Sequence, residues 1–285
     1  MKIRKILKHL SDRKYIQLHY LYHFHKLPCL KNPQTYNDKL QWLKLNDKNP
    51  LYTTIVDKYL VKEYVERKIG KEFILPTLGV YDSVDDIDFD KLPNKFVLKW
   101  NHDSGSIVIC KDKKNMNVDD VKNKLKHGAE INGFWYGREW PYKNVQPKII
   151  AEPYLEDVKT KELRDYKIFT FNGKAKYLLI ASERQKQGVD TKFDFFDIDT
   201  REHLSLVNVH ENAKIQPELP QNLELMKNLS EKLSEGFRHL RVDFYEVNGK
   251  VVFGELTLFH GSGFMTFKPE KWNYILGSMI TLPID

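Results

Sequence analysis

The stretch that most constrains this chain is Leu240-Arg241-Val242-Asp243-Phe244-Tyr245, followed by Asn248-Gly249 and then Val251-Val252-Phe253-Gly254-Glu255-Leu256-Thr257. Two β-rich runs around Asn-Gly form a hairpin, because both residues tolerate the positive φ angles that a two-residue turn requires. Side chains two apart on a strand share a face, so Arg241 stands with Asp243, and Glu255 with Thr257. Two carboxylates on neighbouring strands can hold magnesium, and an arginine beside them can steady a phosphate or a developing oxyanion. A solvated salt-bridge face uses the same residue types. Register separates the two readings. With a strict two-residue turn, Asp243 faces Gly254 and Glu255 points to the other side of the sheet. A shared site therefore needs an odd-length loop or a bulge, most readily with Gly249 left-handed.

The rest of the chain reads as helices and short strands in mixed order. Residues 36–68 carry a helical pattern with Leu40, Leu43, Tyr59, Val61 and Val65 as core positions, broken at Pro50 and closed by Gly70. Strands are expected at 96–99, 107–110, 149–152, 166–171, 177–181, 241–245 and 251–257, and helices near 118–126 and 223–235. This is an α+β pattern without internal repeats. At 285 residues and 41% hydrophobic composition the chain can bury one large core or two smaller ones. An extended, proline-bearing run at 143–153 suggests two lobes. The expected division is a helical segment at 1–55, a small lobe at 56–152 and a large lobe at 153–285.

Charge narrows the partner. Lys and Arg outnumber Asp and Glu by 46 to 39, yet residues 1–26 hold seven basic side chains against Asp12, which leaves the remainder near neutral. A basic surface suited to nucleic acid is therefore not expected. Ile3, Ile6, Leu7 and Leu10 recur at helical spacing between lysines, so this helix either lies on an anionic membrane surface or packs on its own domain; packing is the simpler reading. His19, His23 and His25 follow in an aromatic stretch; His23 and His25 are spaced poorly for a helical metal pair and read as structural. Cys29 and Cys110 have no disulfide or zinc spacing, and no apolar run is long enough to span a bilayer. A reducing cytoplasm, with contact at the inner face of the membrane left open, is the expected setting.

Three upstream segments suit a phosphorylated ligand. Lys62 follows Asp57-Lys58; Lys99 ends an apolar strand and precedes Asn101-His102-Asp103-Ser104-Gly105-Ser106, where a lysine and loop amides could hold phosphate. Ile149-Ile150-Ala151-Glu152-Pro153-Tyr154-Leu155-Glu156 is an apolar run ending in acids, either an edge strand or a wall for adenine and ribose.

The order of these features resembles the TupA-like group of the ATP-grasp superfamily, found in teichuronopeptide and other surface-polysaccharide pathways. The resemblance spans about 32–283 and rests on Tyr36-Asn37-Asp38-Lys39-Leu40-Gln41-Trp42, Asp57-Lys58, His102-Asp103-Ser104-Gly105, Gly137-Arg138-Glu139-Trp140, Asp165-Tyr166-Lys167, Arg241-Val242-Asp243-Phe244-Tyr245 and Gly254-Glu255-Leu256-Thr257. It implies an ATP-grasp fold with ATP and Mg2+ between two lobes. By that resemblance Lys62 and Lys99 meet ATP phosphates, and His102, Asp103, Ser104, Gly105 and Ser106 form a phosphate loop. Glu152, Pro153, Tyr154 and Leu155 form the adenine hinge, Glu156 reaches ribose, and Asp165 and Lys167 face the nucleotide. Asp243 and Glu255 bind metal, and Arg241 faces the transferred phosphate. Thr257 stands where an asparagine is common in amide ligases of the superfamily, which makes its coordination less secure.

The implied reaction joins a carboxylate to an amine through an acyl phosphate, with a uronic-acid sugar or other carboxylate-bearing polysaccharide precursor and an amine donor as partners. Gly261-Ser262-Gly263 offers backbone amides to a substrate, or is a plain turn. Three other readings stay open. A sugar kinase would use the same nucleotide site. A glycosyltransferase would use Asp197-Ile198-Asp199, and a glycan-binding protein would use Trp135, Tyr136, Trp140 and Tyr142 as a stacking surface.

Overall fold

A computed structural model describes residues 9–103, 105–129, 131–158, 163–183 and 189–284. The expected basic helix falls on residues 3–10 and lies mostly outside them. Helix α1 (Asp12–Phe24) is capped by Ser11, whose hydroxyl accepts from Lys14 N at 3.4 Å. Helix α2 (Tyr36–Asn46) starts at Thr35, whose Oγ1 accepts from Asp38 N at 3.1 Å. The chain then breaks twice, once on each side of α3 (Leu51–Val56), before α4 (Val61–Ile69). Pro50 accounts for the first break. Asp57 makes the second, because its Oδ1 draws in the amides of Tyr59 (2.8 Å) and Leu60 (3.1 Å).

The smaller sheet has the order β1-β4-β2-β3 and is antiparallel throughout, from β1 (Gly79–Tyr81), β2 (Phe96–Trp100), β3 (Ile107–Cys110) and β4 (Ile149–Pro153). Alternation along β2 sends Phe96, Leu98 and Trp100 into a core with Val121 and Leu125 of α5 (Val118–Ala129). Val97 and Lys99 are left on the opposite face. A short helix α6 (Phe134–Gly137) lies in the connection to β4.

The larger sheet runs β11-β10-β5-β6-β7-β8, built from β5 (Asp165–Phe171), β6 (Lys174–Ser182), β7 (Lys192–Asp197), β8 (His203–Leu204), β10 (His239–Val247) and β11 (Lys250–Thr257). Strand β9 (Val207–Asn208) pairs instead with β12 (Phe267–Lys268), and the chain closes with α8 (Lys271–Ser278). Helix α7 (Leu223–Leu233) buries Met226, Leu229 and Leu233 against β5, β6 and β10. Among the described residues no helix is long and apolar enough to cross a membrane.

The two cores divide the chain differently from the expected boundaries. Val61, Tyr64 and Val65 of α4 belong to the larger core, together with Tyr36, Leu40 and Leu43 of α2. Helices α2, α3 and α4 thus pack into the larger core, and the smaller sheet begins at β1. Strand β7 is a further difference: it buries Asp194, Phe195 and Phe196 in succession, so its burial does not follow the alternation of Lys192-Phe193-Asp194-Phe195.

Candidate active site

The hairpin turn is a strict two-residue one: Val247 pairs with Lys250, with Asn248 at φ 52° and Gly249 at φ 75°. Pairing continues to Phe244 with Phe253, and then the register shifts, so that Asp243 pairs with Glu255 and Arg241 with Thr257. Gly254 is the extra residue. The bulge therefore sits at the site itself, between Phe244 and Asp243, and the left-handed Gly249 belongs to the turn alone. Arg241, Asp243, Glu255 and Thr257 consequently share one face, while Leu240, Val242, Phe244 and Leu256 are buried on the other. A Cβ on Gly254 would lie 3.0 Å from Asp243 O and 3.3 Å from Tyr245 Cε2, which explains the glycine.

Arg241 ties the face together. Its Nε donates to Asp243 Oδ1 at 2.7 Å, and its Nη2 donates to Asp243 Oδ2 and Glu255 Oε1, each at 2.8 Å. Burial by itself would lower the Arg241 pKa, but Asp243 and Glu255 reverse this and hold it above its ordinary value. Lys167 lies opposite Asp243 on β5, which places its Nζ 2.5 Å from Asp243 Oδ2 and 3.3 Å from Asp165. Burial and Asp243 push the Glu255 pKa up; Arg241, Lys58 and Lys167 outweigh them, so it lies below its ordinary value. Thr257 Oγ1 donates to Glu255 Oε1 at 3.0 Å. On the far side of the guanidinium, His260 Nδ1 accepts from Nη1 at 2.6 Å; burial and the neighbouring Arg241 hold this histidine neutral.

Beside this face opens a cleft of about 250 Å3 with walls from both sheets. Val97, Ile107, Ile109 and Pro153 come from the small sheet, Tyr245, Phe253 and Gly254 from the hairpin, and Tyr154 and Leu155 from the segment after β4. Such walls suit a flat, largely apolar ring, with charge concentrated at one part of the rim. Lys58, Lys62, Lys99 and Glu152 supply that charge.

Lys62 and Lys99 converge, and the anion between them is Glu152. The distances are 2.7 Å from Lys62 to Oε1 and 2.5 Å from Lys99 to Oε2. Register explains the meeting: Glu152 pairs with Val97, so it stands on the Lys99 face of the sheet, diagonal to that lysine. Burial raises the Glu152 pKa, but Lys99 and Lys62 outweigh it and keep the carboxylate ionised below its ordinary range. Lys62 also donates to Leu75 O (3.0 Å) and Thr77 Oγ1 (2.8 Å), which accounts for all three of its N–H groups.

Lys58 is the lysine that sequence reading passed over. Asn101, fully buried, accepts at its backbone oxygen from Lys58 N (3.1 Å) and donates from Nδ2 to Asp57 Oδ2 (2.8 Å) and Gln146 O (2.9 Å), which pins the Asp57-Lys58 corner to the end of β2. Lys58 Nζ then donates to Asp103 O at 2.7 Å and stands within electrostatic reach of Glu255. Burial lowers its pKa. The Asp57-Lys58 pair was visible as a motif, but its place at the cleft depends on a buried asparagine 43 residues away.

The loop after β2 is closed on itself. Asp103 accepts from Gly105 N through Oδ1 and from Ser106 N through Oδ2, both at 2.8 Å, so the amides expected to face phosphate meet a carboxylate of their own loop. His102 is buried against Trp100 and Asn101, and Ser104 lies outside the described residues. Glu156 pairs with Lys95 at the surface (2.8 Å) rather than lining the cleft. Asp165 and Lys167 join the Asp243 network, which places them beside the acid pair rather than along the cleft walls.

The motifs behind the other readings have structural work. Asp197 Oδ1 accepts from Asp199 N and Thr200 N, both at 2.9 Å, and Asp199 pairs with Lys227 at 2.5 Å. Trp140 and Tyr142 pack against the larger core, and Trp140 Nε1 donates to Asp47 O at 2.9 Å. Tyr136 is exposed. His23 lies 3.1 Å from His19, nitrogen to nitrogen, and His25 ends α1 in the left-handed conformation.

Two antiparallel-sheet lobes, with a lysine-rimmed cleft between them and an arginine-bridged acid pair at its side, make an ATP-grasp protein. A family model described as TupA-like ATPgrasp matches residues 38–281, and the chain belongs to that family. No curated protein matches it. Among solved structures it is similar to the D-alanine–D-alanine ligase of Bacillus anthracis complexed with ATP (18% identity, TM-score 0.46, covering 80% of this chain and 65% of that one). The D-alanine–D-alanine ligase of Helicobacter pylori is similar at 14% identity and TM-score 0.43, with 86% and 69% covered. The ATP-grasp ligase PsnB complexed with minimal precursor, Mg and ADP is similar at 11% identity and TM-score 0.39, with 79% and 60% covered. The chain thus spans just under two thirds of the Bacillus anthracis enzyme.

Proposed function

We propose that this protein is an ATP-dependent carboxylate–amine ligase that works through an acyl phosphate, joining an amine or amino acid to a uronic-acid sugar during assembly of a cell-surface polysaccharide. The observation that supports it best is the four-residue face of Arg241, Asp243, Glu255 and Thr257 beside a cleft that combines apolar walls with three lysines.

In this reading the cleft walls hold the adenine ring, with Glu152 to Leu155 as its hinge, and Lys58 and Lys99 meet the phosphates. Lys62 supports them by holding Glu152 and the segment at 75–77 in place. Phosphate entering the loop at 102–106 displaces the Asp103 carboxylate from the Gly105 and Ser106 amides, with Lys58 close by.

Asp243, Glu255 and Thr257 offer oxygen ligands only, which suit a hard cation. Among the described residues no cluster of three His, Cys, Asp or Glu side chains suits a metal, so Asp243, Glu255 and the Thr257 hydroxyl would hold magnesium together with phosphate oxygens. Arg241 and Lys167 now occupy Asp243, and Glu255 Oε1 takes Arg241 and Thr257. When bound, magnesium would neutralise phosphate charge during in-line transfer.

A substrate carboxylate oxygen takes the γ-phosphoryl group and ADP leaves. The amine nitrogen then bonds to the acyl carbon as the carbon–oxygen bond to phosphate breaks; the nitrogen gives up one proton to the departing phosphate. Arg241 stands where negative charge collects in both steps, and its buried, multiply bonded guanidinium needs little reorganisation to meet it. The test is incubation with MgATP and paired uronates and amines, following ADP, free phosphate and product mass together. ADP, phosphate and a condensed product establish the ligase. A phosphorylated sugar makes the protein a kinase, and no nucleotide turnover across the panel removes both.

A further inference from the structure

The motif Gly137-Arg138-Glu139-Trp140 has no role in the nucleotide cleft, yet the fold brings it to the arginine. Helix α2 acts as a brace. Asn37, Gln41 and Lys44 lie along one face of it, and all three bond to the turn that follows β11. Asn37 Nδ2 donates to Met265 O (2.7 Å), Gln41 Nε2 to Gly263 O (2.7 Å), and Lys44 Nζ to Ser262 O (2.9 Å) and to Gly137 O (2.5 Å). One buried ammonium thus joins two turns distant in sequence. Both turns hold a non-glycine residue in the left-handed region, Arg138 at φ 56° and Ser262 at φ 54°. They touch so closely that a Cβ on Gly137 would lie 1.7 Å from Ser262 Oγ. Strained backbone of this kind persists where the surroundings over-determine it, and it gathers at ligand sites.

Glu139 leaves this junction half-buried, with the Ser262 hydroxyl at its carboxylate and with Arg241 and Glu255 near enough to act on its charge. Lys44 is spent on backbone carbonyls and acts on Glu139 only through space. Glu139 does not line the nucleotide cleft. Among the described residues no lysine, arginine or histidine pairs directly with Glu139, and a partly exposed carboxylate beside the reacting arginine suits a ligand that brings its own positive charge.

We propose that Glu139, set by the clamped turns at 137–139 and 261–263, is the anchor for the ammonium group of the amine-bearing substrate. This rests on the ligase reading. It names the subsite as one for a primary amine, apart from the carboxylate that meets Arg241: the Glu139 carboxylate takes one proton of the bound ammonium, the neutral nitrogen then bonds to the acyl carbon as the carbon–oxygen bond to phosphate breaks, and its second proton leaves with the phosphate.

The experiment uses the full chain with MgATP and glucuronate, offering either hydroxylamine, uncharged at neutral pH, or a panel of α-amino acids and glucosamine. Amine binding in the presence of a nonhydrolysable ATP analogue is measured by calorimetry alongside. In Glu139→Gln the ratio of amine condensation to hydroxamate formation is expected to fall at least tenfold through a higher KM for the amine. Glu139→Asp should recover part of it, with thermal midpoints of both variants reporting the fold. An unaltered ratio and unaltered amine binding in Glu139→Gln overturn the proposal, as does a wild-type protein that binds no amine of the panel. Amine binding that depends on Glu139 without any hydroxamate in the wild type leaves the subsite standing and removes the ligase reading instead.

Discussion

Asp243 faces Glu255 across the β10–β11 ladder because one residue, Gly254, is left without a partner between them. The two acids, the arginine that bridges them and the threonine beyond all depend on that single bulge. Deleting Gly254 should give the strict register with Glu255 still opposite Asp243, so nucleotide turnover should fall without being abolished while the sheet persists by circular dichroism. Gly254→Val should be milder in register but costly in packing, about 1–3 kcal/mol by urea unfolding, since its Cβ meets the Asp243 carbonyl.

Removing Arg241 leaves the buried Asp243 carboxylate facing the partly exposed Glu255. Arg241→Ala should lose about 3–5 kcal/mol of stability. Arg241→Lys restores charge without the planar fork that reaches Asp243 and Glu255 together. It should recover much of the stability and little of the turnover, and paired urea melts and ADP-release assays check that split.

At the cleft the three lysines should behave differently. Lys99→Ala and Lys58→Ala should each weaken nucleotide binding about tenfold or more, as expected for losing a charge-assisted bond of about 1.5–3 kcal/mol. Lys62→Ala should act mainly on stability, because its ammonium is committed to Glu152, Leu75 and Thr77. Calorimetric titration with an ATP analogue, beside thermal midpoints, separates the two patterns. Equal loss of affinity without loss of stability in Lys62→Ala would return it to the phosphate site.

His239 makes stability depend on pH. Its Nδ1–H donates to Thr170 O at 2.9 Å and its Nε2 accepts from Tyr36 at 2.8 Å, and burial lowers its pKa from 6.5 to about 4. The unfolded chain therefore binds a proton between those values that the folded chain does not. Stability should be full above pH ~6.5, fall as pH drops towards about 4, and level off below, a loss of up to a few kcal/mol from this group. His239→Gln should be less stable at neutral pH but should lose this part of the slope, as urea midpoints at neutral pH and near pH 5 will show.

Much of the scaffold was legible before any coordinates. The Asn-Gly turn, the alternation that buries Phe96, Leu98 and Trp100, and the helices at 118 and 223 are local: short-range sterics and the face-by-face placement of apolar side chains suffice to write them. The chemical face was legible as residue types, since Arg241, Asp243, Glu255 and Thr257 stand out on strands that would otherwise carry ordinary side chains. What these residues do to one another was not local. The bulge at Gly254 reflects the packing of Tyr245 and the Asp243 carbonyl, the capture of Glu152 by Lys62 and Lys99 follows from which strands are neighbours, and the hold of α2 on the turn at 261–265 joins residues more than 200 positions apart. The sequence by itself determined the strands, the turn and the charged groups they carry. Only the tertiary structure decided which charge meets which, because an ion pair or a hydrogen bond depends on distances of a few ångströms between segments whose separation along the chain says nothing about their separation in space.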